Sequence, residues 1–131
     1  MKRLIAIVLS AAIWVGCKKE DTTPAKPTAA NIEIGTANEK KGYVGKDFHF
    51  NADVKAADKI DSVWIQIVQH SGNWQLVQGW AEYKGLRNTN VHKHFYIPTD
   101  APTGSFDFYF RVKDQNGSLL EIKEPFTILE K

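Results

Sequence analysis

Two of the four histidines are spaced so that their imidazoles lie side by side on a β-strand. His92 and His94 are two positions apart, and side chains at such positions leave a strand on the same side. If Phe95 and Ile97 face the core, both histidines face outward. The same argument, applied to the phenylalanines on either side of it, directs His49 outward from an earlier strand.

A metal ion is the ligand that such a cluster would hold. Directly opposed side chains on paired strands have Cβ atoms about 4.5–5.5 Å apart, so pairing of these two strands would bring the three imidazoles together. Imidazole suits zinc, copper or nickel, and three such ligands leave a fourth position open for water or a partner. We therefore predict a metal site formed by His49, His92 and His94, with a zinc or copper ion as the cofactor.

The alternative is that these histidines are ordinary solvent-exposed strand residues. The register that would set His49 opposite the other two is an assumption at this point. Alternation also turns Lys93 toward the core, which favours the alternative. His70 lies in a predicted turn and is not assigned to the site.

Aromatic residues offer a second kind of binding site. Exposed aromatic rings on a β-sheet can stack on sugar rings, and we predict glycan binding through Trp74 and Trp80 as the alternative function. Trp64 and Tyr83 belong to the same aromatic group. The same side chains can instead cover the core or a sheet edge.

The sequence contains none of the motifs that would indicate an enzyme. It has no Gly-x-Ser-x-Gly turn, no glycine-rich phosphate loop and no zinc-protease helix motif. Asp and Glu occur singly along predicted strands and turns, so no catalytic pair of carboxylates can be named. We expect a protein without catalytic residues.

The first 16 residues predict a cleaved lipoprotein signal peptide. Lys2 and Arg3 precede an apolar run at residues 4–15, which is shorter than the roughly 20 residues of a membrane-spanning helix. The sequence Val15-Gly16-Cys17 resembles a lipobox, with Trp14 where leucine is usual. We expect cleavage before Cys17 and lipidation of its thiol. An ordinary secreted protein with an unpaired cysteine is the alternative.

The lipid predicts where the protein works. Each buried methylene of an acyl chain contributes about 0.8 kcal/mol, so lipidated Cys17 would hold the mature chain on a membrane. We expect a location in the cell envelope, anchored to the outer membrane on its periplasmic face or at the cell surface. Residues 17–30, rich in Thr, Pro, Ala and Lys, predict a flexible tether, and residues 31–131 predict one domain.

Charge excludes one class of partner. Of the 17 Lys and Arg residues, two lie in the signal peptide, so 15 remain to face 15 Asp and Glu. The mature chain is formally neutral and lacks the basic surface that nucleic-acid binding requires. The predicted partners are therefore the membrane and a metal ion, a glycan or another envelope protein.

Alternation with period two dominates from Asn31 onward, and no segment has a convincing helical period. Turn residues separate seven predicted strands at residues 32–34, 48–54, 60–68, 74–83, 89–97, 106–113 and 119–129. Seven short strands predict an all-β fold, an immunoglobulin-like antiparallel β-sandwich. In that fold the second and fifth strands pair, which would bring His49 to His92 and His94.

Three segments carry a resemblance to a known family: GSFDFYFRVKDQNG at residues 104–117, GKDFHF at 45–50 and VHKHFYIP at 91–98. Together they are similar to a Bacteroidetes lipoprotein family with an immunoglobulin-like domain of unknown function, over residues 32–129. Members of that family often carry a His-x-His pair after the third strand, where this chain has only His70. The resemblance implies the fold and the anchor but no activity.

These observations predict a membrane-anchored envelope lipoprotein that acts as a binding or interaction module. Metal binding through the surface histidines is its most concrete form. A glycan-binding accessory module and a structural component of an envelope complex are the alternatives.

Overall fold

A computed structural model describes residues 25–131. The predicted signal peptide and Cys17 lie outside the described residues. The elements, in chain order, are β1 (Thr28–Ile34), a 3₁₀ turn (Thr36–Asn38), β2 (Lys41–Tyr43), β3 (Asp47–Lys55), β4 (Ile60–Gln69), β5 (Gln75–Gly79), a 3₁₀ turn (Ala81–Tyr83), β6 (Asn88–Tyr96), β7 (Gly104–Asp114) and β8 (Leu119–Leu129). None of the helical segments described is long and apolar enough to cross a membrane.

The strands form two sheets that enclose one core. One sheet has the order β1-β3-β6, and the other has the order β2-β8-β7-β4-β5. Phenylalanine rings from the two sheets meet between them, with centroids 4.7 Å apart for Phe50 and Phe110 and 5.4 Å apart for Phe48 and Phe126. The predicted β-sandwich is therefore confirmed.

The core follows the predicted alternation. Every second side chain of β3, β4 and β7 points between the sheets, because period-two alternation gives each strand one apolar face. The fully enclosed apolar side chains of these strands are Phe48, Phe50, Ala52, Val54, Ile60, Val63, Ile65, Ile67, Phe106, Phe108, Phe110 and Val112. The opposite faces of β3 and β7 carry mostly polar side chains, whereas that of β4 also carries Trp64 and Val68.

The described residues contain eight strands rather than the predicted seven, because β2 lies in a segment predicted as turns. Gly42, which lies between the first two predicted strands, is buried in β2. A Cβ there would lie 3.1 Å from both Ile97 Cγ1 and Phe126 Cζ. Glycine thus lets this backbone approach the core closely. β2 pairs with β8 in parallel, the one exception to the antiparallel arrangement described.

Two predicted boundaries also differ from the structure. β1 begins at Thr28 and pairs with β3, so residues 28–30 of the predicted tether belong to the sheet. The fourth predicted strand, residues 74–83, is shorter: β5 ends at Gly79 and a 3₁₀ turn follows. Tyr83 in that turn is only 7% exposed, so tertiary packing overrides the strand propensity of the aromatic residues.

Candidate metal centre

Pairing of β3 with β6 places the three histidines on one outer surface. The register sets His49 directly opposite His94, and His92 opposite Asn51. The inward neighbours Phe48 and Phe50 are buried, so the alternate positions of β3 face away from the core. The outer face of the three-stranded sheet therefore carries the whole cluster.

A bulge in β1 brings an acidic residue to this cluster. The register runs from Ala30 opposite Asp53 to Glu33 opposite Asn51, so three steps along β1 match two steps along β3. Asn31, inside the bulge, has a left-handed φ of 52°. Strict alternation from Ala30 would turn Glu33 toward the core. The extra residue turns Glu33 outward instead.

His94 lies at the centre of the cluster. Its Nε2 is 3.4 Å from Nδ1 of His49 and 3.2 Å from Nε2 of His92. One ligand nitrogen from each ring lies within 4.8 Å of the other two. His49 is half-buried, whereas His92 and His94 are exposed. The three imidazoles thus converge at the surface, open to solvent.

Two carboxylates contact the outer nitrogens of the cluster. Nε2 of His49 is 2.9 Å from Oε2 of Glu33, and Nδ1 of His94 is 2.7 Å from Oδ2 of Asp47. An ionised carboxylate only accepts hydrogen bonds, so each of these nitrogens carries the hydrogen. In neutral rings this leaves lone pairs on His49 Nδ1 and His94 Nε2. Those are the two nitrogens that face each other.

The two spacings around His94 Nε2 match those of one tetrahedral ion. Zinc binds imidazole nitrogen at about 2.0–2.1 Å, so two nitrogens of a tetrahedral site lie about 3.3 Å apart. The observed separations of 3.2 and 3.4 Å lie on either side of that value. Carboxylates that hold the second nitrogen of a histidine are a common feature of metal sites, because they fix the tautomer and the ring orientation.

The structure confirms the assumed register and brings His49, His92 and His94 together. Metal binding by them stays a prediction. His70 lies away from the cluster. Its Nε2 is 2.9 Å from Oδ1 of Asp107, which lies on β7 of the five-stranded sheet. The hydrogen bond from His70 holds the pKa of Asp107 below its ordinary value.

Two functional candidates were missed from the sequence. Asp47 had a usable signal, since it lies two positions before His49 and alternation puts both on one side of β3. Glu33 had a signal of the same kind, because it lies between Ile32 and Ile34, and alternation that turns these two toward the core turns Glu33 outward. The sequence does not reveal the bulge, which sets Glu33 opposite Asn51 and so brings it to His49.

Lys93, which favoured the alternative interpretation, does face inward and has its own partners there. Its Nζ forms an ion pair with Glu82. It also lies 5.2 Å from the ring centroid of Tyr83 and 5.9 Å from that of Trp80. Cation–π contacts and the ion pair offset the cost of burying most of this side chain. Lys93 is therefore compatible with outward-facing histidines on either side of it.

A polar network continues from the histidines along the same outer surface. Asp53 accepts hydrogen bonds from the side-chain amides of Asn31 and Asn90, both at 2.8 Å. These hydrogen bonds hold the pKa of Asp53 below its ordinary value. The bond from Asn31 is the larger cause and the bond from Asn90 the smaller. Because the three residues lie on β1, β3 and β6, the network ties together the strands that carry the cluster.

The two tryptophans of the predicted glycan site pack against the core. Trp74 makes an edge contact with Phe106 at 5.7 Å between ring centroids, and Trp80 lies 6.3 Å from Phe95. Both are half-buried. Trp80 also lines a surface pocket together with Trp64. Glycan binding through Trp74 and Trp80 stays a prediction.

Known structures share this architecture. A Niemann-Pick type C2 protein from Japanese carpenter ant has a TM-score of 0.60 at 12% identity, with 84% of this chain and 98% of that chain covered. Spo0M, a sporulation control protein from Bacillus subtilis, has a TM-score of 0.50 at 13% identity, with 81% of this chain and 49% of that chain covered. Such low identities show the fold alone, and the immunoglobulin-like sandwich is confirmed.

No curated protein matches the sequence. A family model matches residues 15–129, which is most of the chain. The chain therefore belongs to the family described as a domain of unknown function, DUF4625.

Proposed function

We propose that this domain binds a transition-metal ion, zinc or copper, through His49, His92 and His94. The observation that carries the proposal is the convergence of three inner nitrogens, with separations of 3.2 and 3.4 Å around His94 Nε2. The ligand atoms are Nδ1 of His49 and Nε2 of His92 and His94. Three protein ligands leave a fourth position for water or an incoming group.

The metal-free cluster contains an unfavourable contact that an ion would remove. When both rings are neutral, His49 Nε2 and His94 Nδ1 donate their hydrogens to the carboxylates of Glu33 and Asp47. The lone pairs of His49 Nδ1 and His94 Nε2 then point at each other across 3.4 Å. Opposed lone pairs repel, whereas a cation between them attracts both. Binding is therefore favoured by the arrangement that the β3–β6 register imposes.

We also propose that the protein binds this ion in the cell envelope, attached to a membrane through lipid on Cys17. The support is the sequence before the domain: basic residues, a short apolar run and a small residue before the cysteine. A solvent-exposed site on a tethered domain suits capture of an ion from the surrounding fluid or its exchange with another protein.

Thermal unfolding with and without metal tests the proposal. The sample is the chain from residue 17 onward, with Cys17→Ser to prevent oxidation of the thiol. A chelator removes bound metal before the measurement. A ligand that binds only the folded state at 100 times its Kd stabilises that state by about 2.7 kcal/mol. We expect zinc or copper to raise the Tm, and His92→Ala and His94→Ala each to remove most of the rise.

His70→Ala is the matched control, since that histidine follows β4 and pairs with Asp107 of the other sheet. This change should leave the metal effect unchanged. If neither zinc nor copper shifts the Tm of the parent protein, the proposed function is wrong. The same conclusion follows if the shift persists in both His92→Ala and His94→Ala.

A further inference from the structure

Four polar side chains form a hydrogen-bonded row on the outer face of the five-stranded sheet. Gln66 Nε2 donates to Gln75 Oε1 at 2.8 Å, and Arg111 Nη1 donates to Gln66 Oε1 at 2.6 Å. Arg111 Nε donates to Glu121 Oε2 at 2.8 Å. We call Gln75, Gln66, Arg111 and Glu121 the polar ladder. It crosses β5, β4, β7 and β8, on the sheet that does not carry the histidine cluster.

Aromatic side chains border the ladder at Arg111. Trp64 is the direct strand partner of Arg111 on β4, and the ring centroid of Tyr109 lies 4.4 Å from the guanidinium carbon. The Arg111 side chain is only 17% exposed. A guanidinium held in this way presents its remaining N–H groups in a fixed direction, so little ordering entropy is lost when a ligand binds.

A pocket opens next to Trp64. Its volume is about 420 Å³, and its lining includes Trp64, Trp80, Gly79, Asp61 and Lys84. Gly79 is the strand partner of Trp64 on β5, so the absence of a side chain there leaves room beside the indole. The volume lies within the range of about 300–1,000 Å³ found for small-molecule sites.

Two pairs of opposite charges lie on this surface, one at the pocket rim and one in the ladder. Lys84 Nζ lies 3.7 Å from Oδ1 of Asp61 at the pocket rim, and Arg111 pairs with Glu121 in the ladder. Such pairs offer both donors and acceptors while their net charge is zero. At these two positions a charged ligand gains little, whereas a ligand with many hydroxyl groups and no charge finds matching partners.

We propose that this face binds an uncharged glycan made of hexopyranose units. A sugar ring has an apolar C–H face, which fits against Trp64 in the pocket, and a rim of hydroxyl groups. The neighbouring units extend along the sheet, where their hydroxyls hydrogen-bond to the amides, guanidinium and carboxylate of the polar ladder. This site is separate from the metal site. It shares Trp80 with the predicted tryptophan pair but does not include Trp74.

Affinity electrophoresis tests this inference. The chain from residue 17 with Cys17→Ser is run through gels containing soluble neutral polysaccharides: a β-1,3-glucan, a xyloglucan, an α-mannan and a dextran. We expect at least one to retard the protein. Trp64→Ala should weaken that retardation about tenfold, as expected when an aromatic contact and its buried area are lost.

A second variant guards against misfolding. A Cβ on Gly79 would lie 3.6 Å from Trp64 Cβ, an ordinary contact, and β-branched residues suit strands. Gly79→Val should therefore keep the parent Tm while it narrows the pocket and removes retardation. His94→Ala, on the other sheet, should leave retardation intact, so failure here and failure of the metal proposal are distinguishable. The inference is overturned if no polysaccharide retards the protein, or if retardation survives both Trp64→Ala and Gly79→Val.

Discussion

At the residue scale, metal binding by the histidine cluster depends on which imidazole nitrogens carry hydrogen. Hydrogen bonds to two carboxylates decide this. Glu33 and Asp47 accept hydrogen bonds from the N–H groups of His49 and His94. In the neutral rings the remaining nitrogens then turn their lone pairs toward each other. A carboxylate partner also makes the imidazole a better donor of electrons to a metal. These two acidic residues are therefore expected to set the affinity without contacting the ion.

Neutral replacements of these acidic residues test that role. Glu33→Gln and Asp47→Asn keep the size of the side chain but remove its charge and can stabilise the wrong tautomer. We expect each to weaken zinc binding about 10–100-fold, the usual effect of such partners. Isothermal titration calorimetry measures the change. Glu121→Gln, an acidic residue paired with Arg111 on the other sheet, is the control and should bind zinc as the parent does.

At the element scale, the bulge in β1 is the feature that delivers Glu33. Asn31 adopts φ 52° there, a left-handed conformation that asparagine and glycine tolerate and that β-branched residues do not. Its side-chain amide also bonds to Asp53 at 2.8 Å. The conformation of one residue thus determines which side chain reaches the histidines.

Two substitutions at Asn31 distinguish the effect of its left-handed backbone conformation from the effect of its hydrogen bond to Asp53. Asn31→Val should destabilise the metal-free domain by about 1–2 kcal/mol, the cost of a left-handed conformation in such a residue, and should also weaken zinc binding. Asn31→Gly loses the bond to Asp53 but keeps the bulge, so its zinc affinity should stay close to that of the parent. Urea unfolding and calorimetry measure the two quantities. Equal zinc affinity in Asn31→Val and the parent would contradict this account of the bulge.

The strands also differ in how much of their structure could be predicted from the sequence. Alternation in β3 and β6 predicted which side His49, His92 and His94 occupy, because their apolar neighbours pack toward the core. These neighbours are Phe48, Phe50, Val91 and Phe95. The features that were missed depend on contacts between distant segments. β2 forms because Gly42 fits against Ile97 and Phe126, and neither of these residues is near it in sequence.

At the scale of the whole molecule, one phenylalanine core holds both outer faces in position. Phe108 on β7 contacts Phe48 and Phe50 of the opposite sheet and Phe126 of its own, with ring centroids 5.5–6.0 Å apart. The described part of the chain relies on this burial for its stability. The two proposed sites lie on opposite outer surfaces of the same sandwich, so each can be altered without the other.

Truncation of this core residue should affect the whole fold. Phe108→Ala leaves a cavity between the sheets and is expected to lower the free energy of unfolding by about 3–5 kcal/mol. Val77→Ala, at a position 56% exposed on β5, should change it by less than about 0.5 kcal/mol. Chemical denaturation of both variants checks this, and similar losses in the two would contradict the assigned core.

The proposed anchor is also a property of the whole protein. In a bacterial host that processes lipoproteins, the chain should fractionate with membranes, and Cys17→Ser should move it to the soluble fraction, because the diacylglyceryl group is lost. Mass spectrometry of the membrane form should show the lipid on Cys17. Equal membrane association of the two forms would contradict lipidation as the means of attachment.

The central claim is that three named nitrogens bind one ion, and imidazole nitrogen NMR during a zinc titration tests it most directly. The account predicts that one equivalent of zinc shifts Nδ1 of His49 and Nε2 of His92 and His94 as bound nitrogens. Nε2 of His49 and Nδ1 of His94 should keep their protons, and His70 should be unaffected. Spectra in which zinc leaves these three rings unchanged, or in which His49 and His94 bind through their carboxylate-facing nitrogens, would contradict the account.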